Sequence, residues 1–99
     1  MPVYMIFNET VTDPAVFETY RTQAGPLFLA AGGKYLVRGG AVTTLEGEAQ
    51  YGRVVIIEWE TMEDAKRFYY SAEYQALVNL RLTCSVGSGV IIEGAPPAG

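Results

Sequence analysis

The chain has 99 residues, of which 49% are hydrophobic and 18% charged, and its formal net charge at pH 7 is −4. This length predicts one domain, over residues 1–95, with a flexible tail at 96–99. The seven basic residues are scattered, so nucleic acid is not an expected partner, and the absence of histidine excludes a Cys/His zinc site and a His-based triad.

A single cysteine, Cys84, excludes an intrachain disulfide. We interpret it as a small packed residue, because no histidine or adjacent lysine activates it. No hydrophobic run reaches the ~18 residues of a membrane-spanning helix, and the N-terminus lacks the pattern of a secretory leader. The sequence therefore predicts a cytoplasmic protein with no membrane partner.

The first half of the chain predicts strand, helix, strand. Residues 3–7 are an apolar run typical of a buried strand. Asp13 and the proline that follows it predict a helix start, and apolar residues then recur at helical spacing up to residue 31. We expect a kink or break at the Gly-Pro pair at 25–26 and a stop at the Gly pair at 32–33.

The next elements complete a repeated order. Residues 34–38 predict a strand that is followed by a bulge or bend and resumes over 41–45, and residues 46–48 predict a turn. Residues 53–60 are the clearest strand. Thr61 and Ser71 then predict the caps of two helical stretches, the first to about residue 70 and the second over 72–82. The last strand lies within 85–93, where Gly87 and Gly89 predict a bulge.

The order β-α-β-β-α-β predicts the ferredoxin-like α+β fold, whose helices cover one face of the sheet. In the strand at 53–60, Val54 and Ile56 point one way, whereas Val55, Ile57 and Trp59 point the other. Both faces are therefore apolar, and one chain has helices for only one of them. We infer that the second face meets another copy, which predicts a homodimer.

Arg38 is the first candidate binding residue, since it ends a strand that is followed by two glycines. Two interpretations remain open: a structural ion pair, or a fork that binds a carboxylate or phosphate. Arg81 continues an apolar helical stripe and needs an acceptor, because an unpaired buried charge is costly. Glu58 is the natural partner of either arginine. It is either structural or a general acid or base.

A hydroxyl-rich hinge between the two helical stretches contains Tyr69, Ser71 and Tyr74. Structure alone explains such residues, although aromatic bodies with polar tips also suit a small-molecule cleft. Asn8 would supply an orienting amide at the end of the first strand. Together these residues predict a pocket for a small anionic molecule.

Three motifs in order resemble the family catalogued as domain of unknown function 1330. They are GG-x-aromatic-L-x-RGG, a strand ending in Glu and an aromatic residue, and an aromatic-Tyr-x-Ser-x-x-Tyr stretch that closes on Leu-Arg. The matching residues are Gly32, Gly33, Tyr35, Leu36, Arg38, Gly39, Gly40, Glu58, Trp59, Phe68, Tyr69, Ser71, Tyr74, Leu80 and Arg81. Trp59 replaces the more usual Phe, and Phe68 the more usual Trp.

The resemblance implies the dimeric α+β barrel, in which two ferredoxin-like halves pack sheet to sheet, and it implies no reaction. Proteins of this superfold include metal-free monooxygenases, isomerases, decarboxylases, dehalogenating enzymes, haem-binding proteins and stress-response proteins, so fold alone does not decide function. Haem-binding relatives use a proximal histidine, which this chain lacks, and no cofactor is expected. Three hypotheses remain: a metal-free enzyme, a non-catalytic ligand-binding or regulatory homodimer, and a structural module.

Overall fold

The computed structural model describes residues 1–48 and 52–96. The elements in chain order are β1 (Val3–Val11), α1 (Pro14–Ala30), β2 (Lys34–Arg38), β3 (Arg53–Trp59), α2 (Met62–Tyr69), α3 (Ala72–Cys84) and β4 (Ser85–Glu93). Apart from its first residue, the predicted tail at 96–99 lies outside the described residues. Within them, no helix is both long enough and apolar enough to cross a membrane.

The strands form one antiparallel sheet in the order β2-β3-β1-β4, and α1 packs against α3 on one side of it. This is the predicted ferredoxin-like α+β arrangement. The side chains of Val55, Ile57 and Trp59 are buried beneath the helices, whereas Val54 and Ile56 lie on the opposite, open face. The two-sided apolar pattern of β3 is therefore confirmed.

Local capping interactions begin all three helices where the sequence predicts. The Asp13 carboxylate accepts a hydrogen bond from the backbone N–H of Val16 (3.2 Å) at the start of α1. Thr61 caps α2 and Ser71 caps α3 in the same way, by accepting from the N–H three residues on. At the other end of α1, Gly32 turns the chain with φ +100° and the N–H of the next glycine bonds to Phe28 O.

The predicted break at residues 25–26 is wrong, because α1 continues through Pro26 to Ala30. Pro26 removes the N–H that would bond to the Thr22 carbonyl. Both residues lie on the exposed side of the helix, so the missing hydrogen bond is not in the core, while Gly25 and Phe28 are buried on the core side. Packing of the core side therefore outweighs the lost hydrogen bond.

β2 is shorter and less regular than predicted. Residues 41–45 form no strand, because the chain bends at Gly39 with φ +73° and leaves the sheet. The bulge lies at Leu36, before Arg38 rather than after it, since the register with β3 shifts between Tyr35 and Val37. As a result, Tyr35 and Arg38, which lie opposite the buried Ile57 and Val55, both point to the helix side.

The predicted bulge in β4 is also wrong, because β4 pairs with β1 in unbroken register. Gly87 lies opposite Glu9 and Gly89 lies opposite Phe7. A β-carbon at Gly87 would collide with the Asn8 carbonyl oxygen, and one at Gly89 would lie 2.9 Å from the Phe7 ring. These glycines allow the two strands to approach closely instead of bending the sheet.

Candidate functional site

A buried carboxylate lies at the end of β1. The alternation that buries Val3, Met5 and Phe7 on the helix side continues to Glu9, which is 3% exposed. Arg81 Nη1 lies 3.9 Å from Glu9 Oε2, and Arg53 Nε lies 4.0 Å from Glu9 Oε1. These separations are longer than a hydrogen bond. Glu9 is thus held between two cations without being bonded to either.

The surroundings of Glu9 act on its charge in opposite directions. Burial raises the pKa of the Glu9 carboxyl, while the nearby charges of Arg81 and Arg53 oppose that rise. Because the folded protein holds this proton more tightly than the unfolded chain does, the stability that the group contributes is greatest at low pH and is lost as the pH rises through its folded pKa. A buried carboxyl whose charge is opposed by burial and favoured by two cations is a candidate general acid or base.

Two tyrosine hydroxyls meet beside this carboxylate. The oxygens of Tyr20 on α1 and Tyr74 on α3 are 2.7 Å apart, and both side chains are buried. Burial raises the pKa of both phenols, so both stay protonated at neutral pH. One hydroxyl donates to the other, which leaves one O–H able to donate elsewhere.

Next to Glu9, a cavity of about 30 Å³ lies between α1 and the sheet. We call it the arginine cavity. Its polar lining consists of Glu9, Tyr20, Arg21, Tyr35, Arg38 and Arg53, and its remaining walls are apolar. Three of the five arginines of an acidic chain therefore line one cavity.

Two guanidinium groups of this cavity pack against glycines, where a larger residue would leave too little space. A β-carbon at Gly25 would lie 2.9 Å from Arg38 Nη2, and one at Gly39 would lie 2.9 Å from Arg53 Cζ. The Arg38 guanidinium stacks 4.2 Å from the centre of the Tyr35 ring. Aromatic stacking and close backbone contact orient these cations, as an anion-binding fork requires.

Two of the predicted site residues, Glu58 and Asn8, lie on the open face of the sheet, away from the arginines. Glu58 lies opposite Lys34 on one side and Tyr4 on the other. The predicted ion pair of Glu58 with Arg38 or Arg81 is wrong, because strand alternation places Glu58 on the face opposite the helices. Glu9 is the carboxylate that Arg81 contacts instead.

The other predicted residues lie on the helix side but do not form one cluster. Tyr74 and Arg81 are both buried, Tyr74 against Tyr20 and Arg81 facing Glu9, whereas Ser71 serves as the cap of α3. Tyr69 lines a separate open groove of about 450 Å³ between α2 and the β1–β4 pair. We call this the outer groove. Its lining includes Met5, Phe7, Met62, Lys66, Tyr69 and Gly89. The positively charged residue that lines the outer groove is therefore Lys66, and neither Arg38 nor Arg81 lines it.

The sequence interpretation missed Glu9, Arg53 and Tyr20. The first strand predicted from the sequence ends at residue 7, two positions before Glu9. Every second residue of β1 faces the helices, and extending this alternation beyond residue 7 places Glu9 on the same buried face as Val3, Met5 and Phe7. That signal is present in the sequence. Within the described residues, no group of three His, Cys, Asp or Glu side chains is placed to hold a metal ion.

The fold and this site define a ferredoxin-like α+β protein with a charged cavity between α1 and the sheet. The chain belongs to the family described as Domain of unknown function (DUF1330), whose model matches residues 2–95. A comparison with curated protein sequences found no match. The family assignment agrees with the three motifs and supplies no reaction.

Solved structures share the fold at low sequence identity. A protein of unknown function from Rhodopseudomonas palustris is 19% identical, with a TM-score of 0.76 over 97% of this chain and 84% of that one. SnoaB from Streptomyces nogalater, a cofactor-independent oxygenase, is 18% identical, with a TM-score of 0.65 over 97% and 95%. A dimeric ferredoxin-like protein of unknown function from Bacteroides fragilis is 15% identical, with a TM-score of 0.63 over 94% and 96%.

Proposed function

We propose that this protein is a metal-free enzyme that acts on a small anionic molecule, with Glu9 as its general acid or base. The observation that carries the proposal is the buried carboxyl of Glu9 beside the arginine cavity. In this proposal Arg38 and Arg53 hold the anion, and Arg81 keeps the Glu9 carboxyl in place. A buried, titratable group beside fixed cations is a common arrangement in active sites.

Relatives of similar fold support the proposal only in general terms. SnoaB is a cofactor-independent oxygenase with the same fold, so this architecture accommodates chemistry without a cofactor. The alternative is a non-catalytic ligand-binding or regulatory homodimer. The small volume of the arginine cavity favours it, since about 30 Å³ leaves little room for a reacting substrate. The two functions differ in whether a bound ligand is converted to product.

Arg53→Met is expected to weaken binding of a small carboxylate by roughly 10- to 100-fold, because a hydrogen bond to a charged group contributes about 1.5–3 kcal/mol. The measurement is a thermal-shift screen of small aromatic and aliphatic acids, followed by titration of the best binder. Arg67→Met is the matched control, since Arg67 lies on the exposed side of α2. Equal affinities for all three proteins would place the anion elsewhere.

The same binder then distinguishes an enzyme from a binding protein. It is incubated with the protein, and the products are analysed by mass spectrometry. Glu9→Gln should abolish conversion of the ligand while retaining its binding. The amide keeps the shape of the side chain but cannot act as a general acid or base. Binding without any conversion by the wild type would support the alternative function.

We further propose that the protein is a cytoplasmic homodimer joined through the open face of its sheet. On that face Ile6, Val54 and Ile56 are half-buried, and Val90 and Ile92 of β4 are more than half exposed. Burying such a face removes apolar surface from water. Two solved structures with this fold are described as dimeric.

Val90→Lys is expected to convert the dimer to monomers at micromolar concentration, because it places a charge in an apolar interface of roughly 1,600 Å². Sedimentation velocity gives the oligomeric state. Leu82→Lys is the control, since Leu82 is an equally exposed apolar residue on α3. A wild-type protein that sediments as a monomer would contradict the proposal.

A further inference from the structure

The arginine cavity is too small to hold a whole organic acid. Its volume of about 30 Å³ accommodates about two water molecules, on the scale on which one water needs roughly 10–15 Å³. A carboxylate group fits this space and a carbon skeleton does not. If the cavity binds the acidic group of a substrate, the rest of that substrate lies outside the cavity.

The outer groove offers that room. Its volume of about 450 Å³ lies within the range of small-molecule sites, roughly 300–1,000 Å³. Its floor is apolar, formed by Met5, Phe7 and Ile91, and Met62 and Tyr69 line it from α2. Gly89 contributes no side chain, and the Phe7 ring packs against its backbone. Such a surface suits a flat or branched apolar group.

Among the residues that the structure describes, Phe7 alone lines both spaces. Its strand, β1, lies between β3 and β4, so Phe7 has Val55 of the arginine cavity on one side and Gly89 of the outer groove on the other. The Phe7 ring occupies the place that a side chain at Gly89 would fill. The Arg81 guanidinium stacks 4.9 Å from the centre of the same ring. The Phe7 ring therefore borders both spaces.

We propose that the arginine cavity and the outer groove form one binding site for an amphipathic carboxylic acid, divided by the side chain of Phe7. The carboxylate lies with Arg38 and Arg53, the apolar body lies in the outer groove, and the Phe7 ring turns aside to join them. This inference rests on the proposed function and adds the class of substrate. It excludes small hydrophilic acids and large ligands as preferred substrates.

Two acids of different length test this arrangement. Acetate reaches only the arginine cavity, whereas 4-phenylbutyrate has an apolar body for the outer groove. NMR titration gives the affinity of each acid for the wild type and for three variants, Arg53→Met, Met62→Trp and Leu82→Trp. Met62→Trp fills the outer groove, and Leu82→Trp is the control. We expect Arg53→Met to weaken both acids. We expect Met62→Trp to weaken 4-phenylbutyrate by at least about tenfold without affecting acetate.

A second measurement on the wild type does not depend on any variant folding. The amide resonance of Gly89 should shift when 4-phenylbutyrate is added and should not shift with acetate. If Arg53→Met leaves both affinities unchanged, the proposed function itself fails. A different result overturns only the joint site. In that case Arg53→Met weakens binding of both acids, but Met62→Trp affects their affinities equally and the Gly89 resonance responds to both in the same way. A loss of 4-phenylbutyrate binding in Lys66→Met but not in Arg53→Met would reverse the orientation and also overturn it.

Discussion

Arg81→Met is expected to lower the free energy of unfolding by about 3 kcal/mol at pH 8, the lower end of the range for breaking a buried ion pair. The change removes the charge that faces Glu9 Oε2 at 3.9 Å while keeping much of the side-chain bulk. The buried carboxylate is then left with the more distant contact to Arg53. Urea unfolding of the wild type and the variant measures the difference.

The loss should depend on pH in a defined direction. Without Arg81, the pKa of Glu9 rises further, because one of the charges that lowers it is gone. Stability should therefore fall more steeply between pH 5 and pH 8 in Arg81→Met than in the wild type. Glu9→Gln should remove most of this dependence, and Arg67→Met, whose side chain is 72% exposed, should change stability by less than about 0.5 kcal/mol. A loss that is equal at both pH values would show that packing, not charge, makes Arg81 important.

Phe28→Ala is expected to cost about 3–5 kcal/mol, the usual range for removing a large buried aromatic side chain. The ring of Phe28 is 3% exposed and lies at the centre of an aromatic cluster. Its ring neighbours are Phe7, Tyr35, Trp59, Phe68 and Tyr74, with centroids 4.6–6.5 Å away. Phe28 also lines the arginine cavity, so its loss enlarges that space as well as destabilising the fold.

Thermal and urea unfolding of Phe28→Ala measure this cost. Tyr70→Ala provides the comparison, because Tyr70 is 72% exposed and should change stability by less than about 0.5 kcal/mol. A Phe28→Ala variant as stable as the wild type would mean that the helices do not pack on the sheet as described here. The aromatic walls of the arginine cavity would then lack their support.

Burial of Glu9 between two arginines adds little to the free energy of unfolding, so its place in the core points to a role in function. Taking a carboxylate and two guanidinium groups out of water costs several kcal/mol per ion by general estimates, and pairs at 3.9–4.0 Å recover only part of that. Oε2 of Glu9 and Nε of Arg53 and Arg81 are buried without a hydrogen-bond partner among the described residues. An apolar side chain at position 9 would fill the same place at lower cost. This expense is consistent with a role in binding or catalysis.

Local chemistry determined the elements that the sequence predicted correctly. The caps at Asp13, Thr61 and Ser71 each depend on a contact only three residues away, and Gly32 ends α1 through its own backbone conformation. The element order, the ferredoxin-like fold and the two apolar faces of β3 follow from such signals and from period-two alternation. None of them requires knowledge of a distant partner.

Only the tertiary structure decided which charged residues meet. The bulge at Leu36 turns Arg38 to the helix side, and the pairing of β1 with β3 places Glu58 on the open face. Glu9 becomes the partner of Arg81 because the C-terminal end of α3 meets the end of β1, which brings together residues 72 positions apart. Such pairings depend on strand register and helix placement, which arise from the packing of the whole core. The sequence therefore indicated that a buried cation needs a carboxylate, and the fold determined that this carboxylate is Glu9.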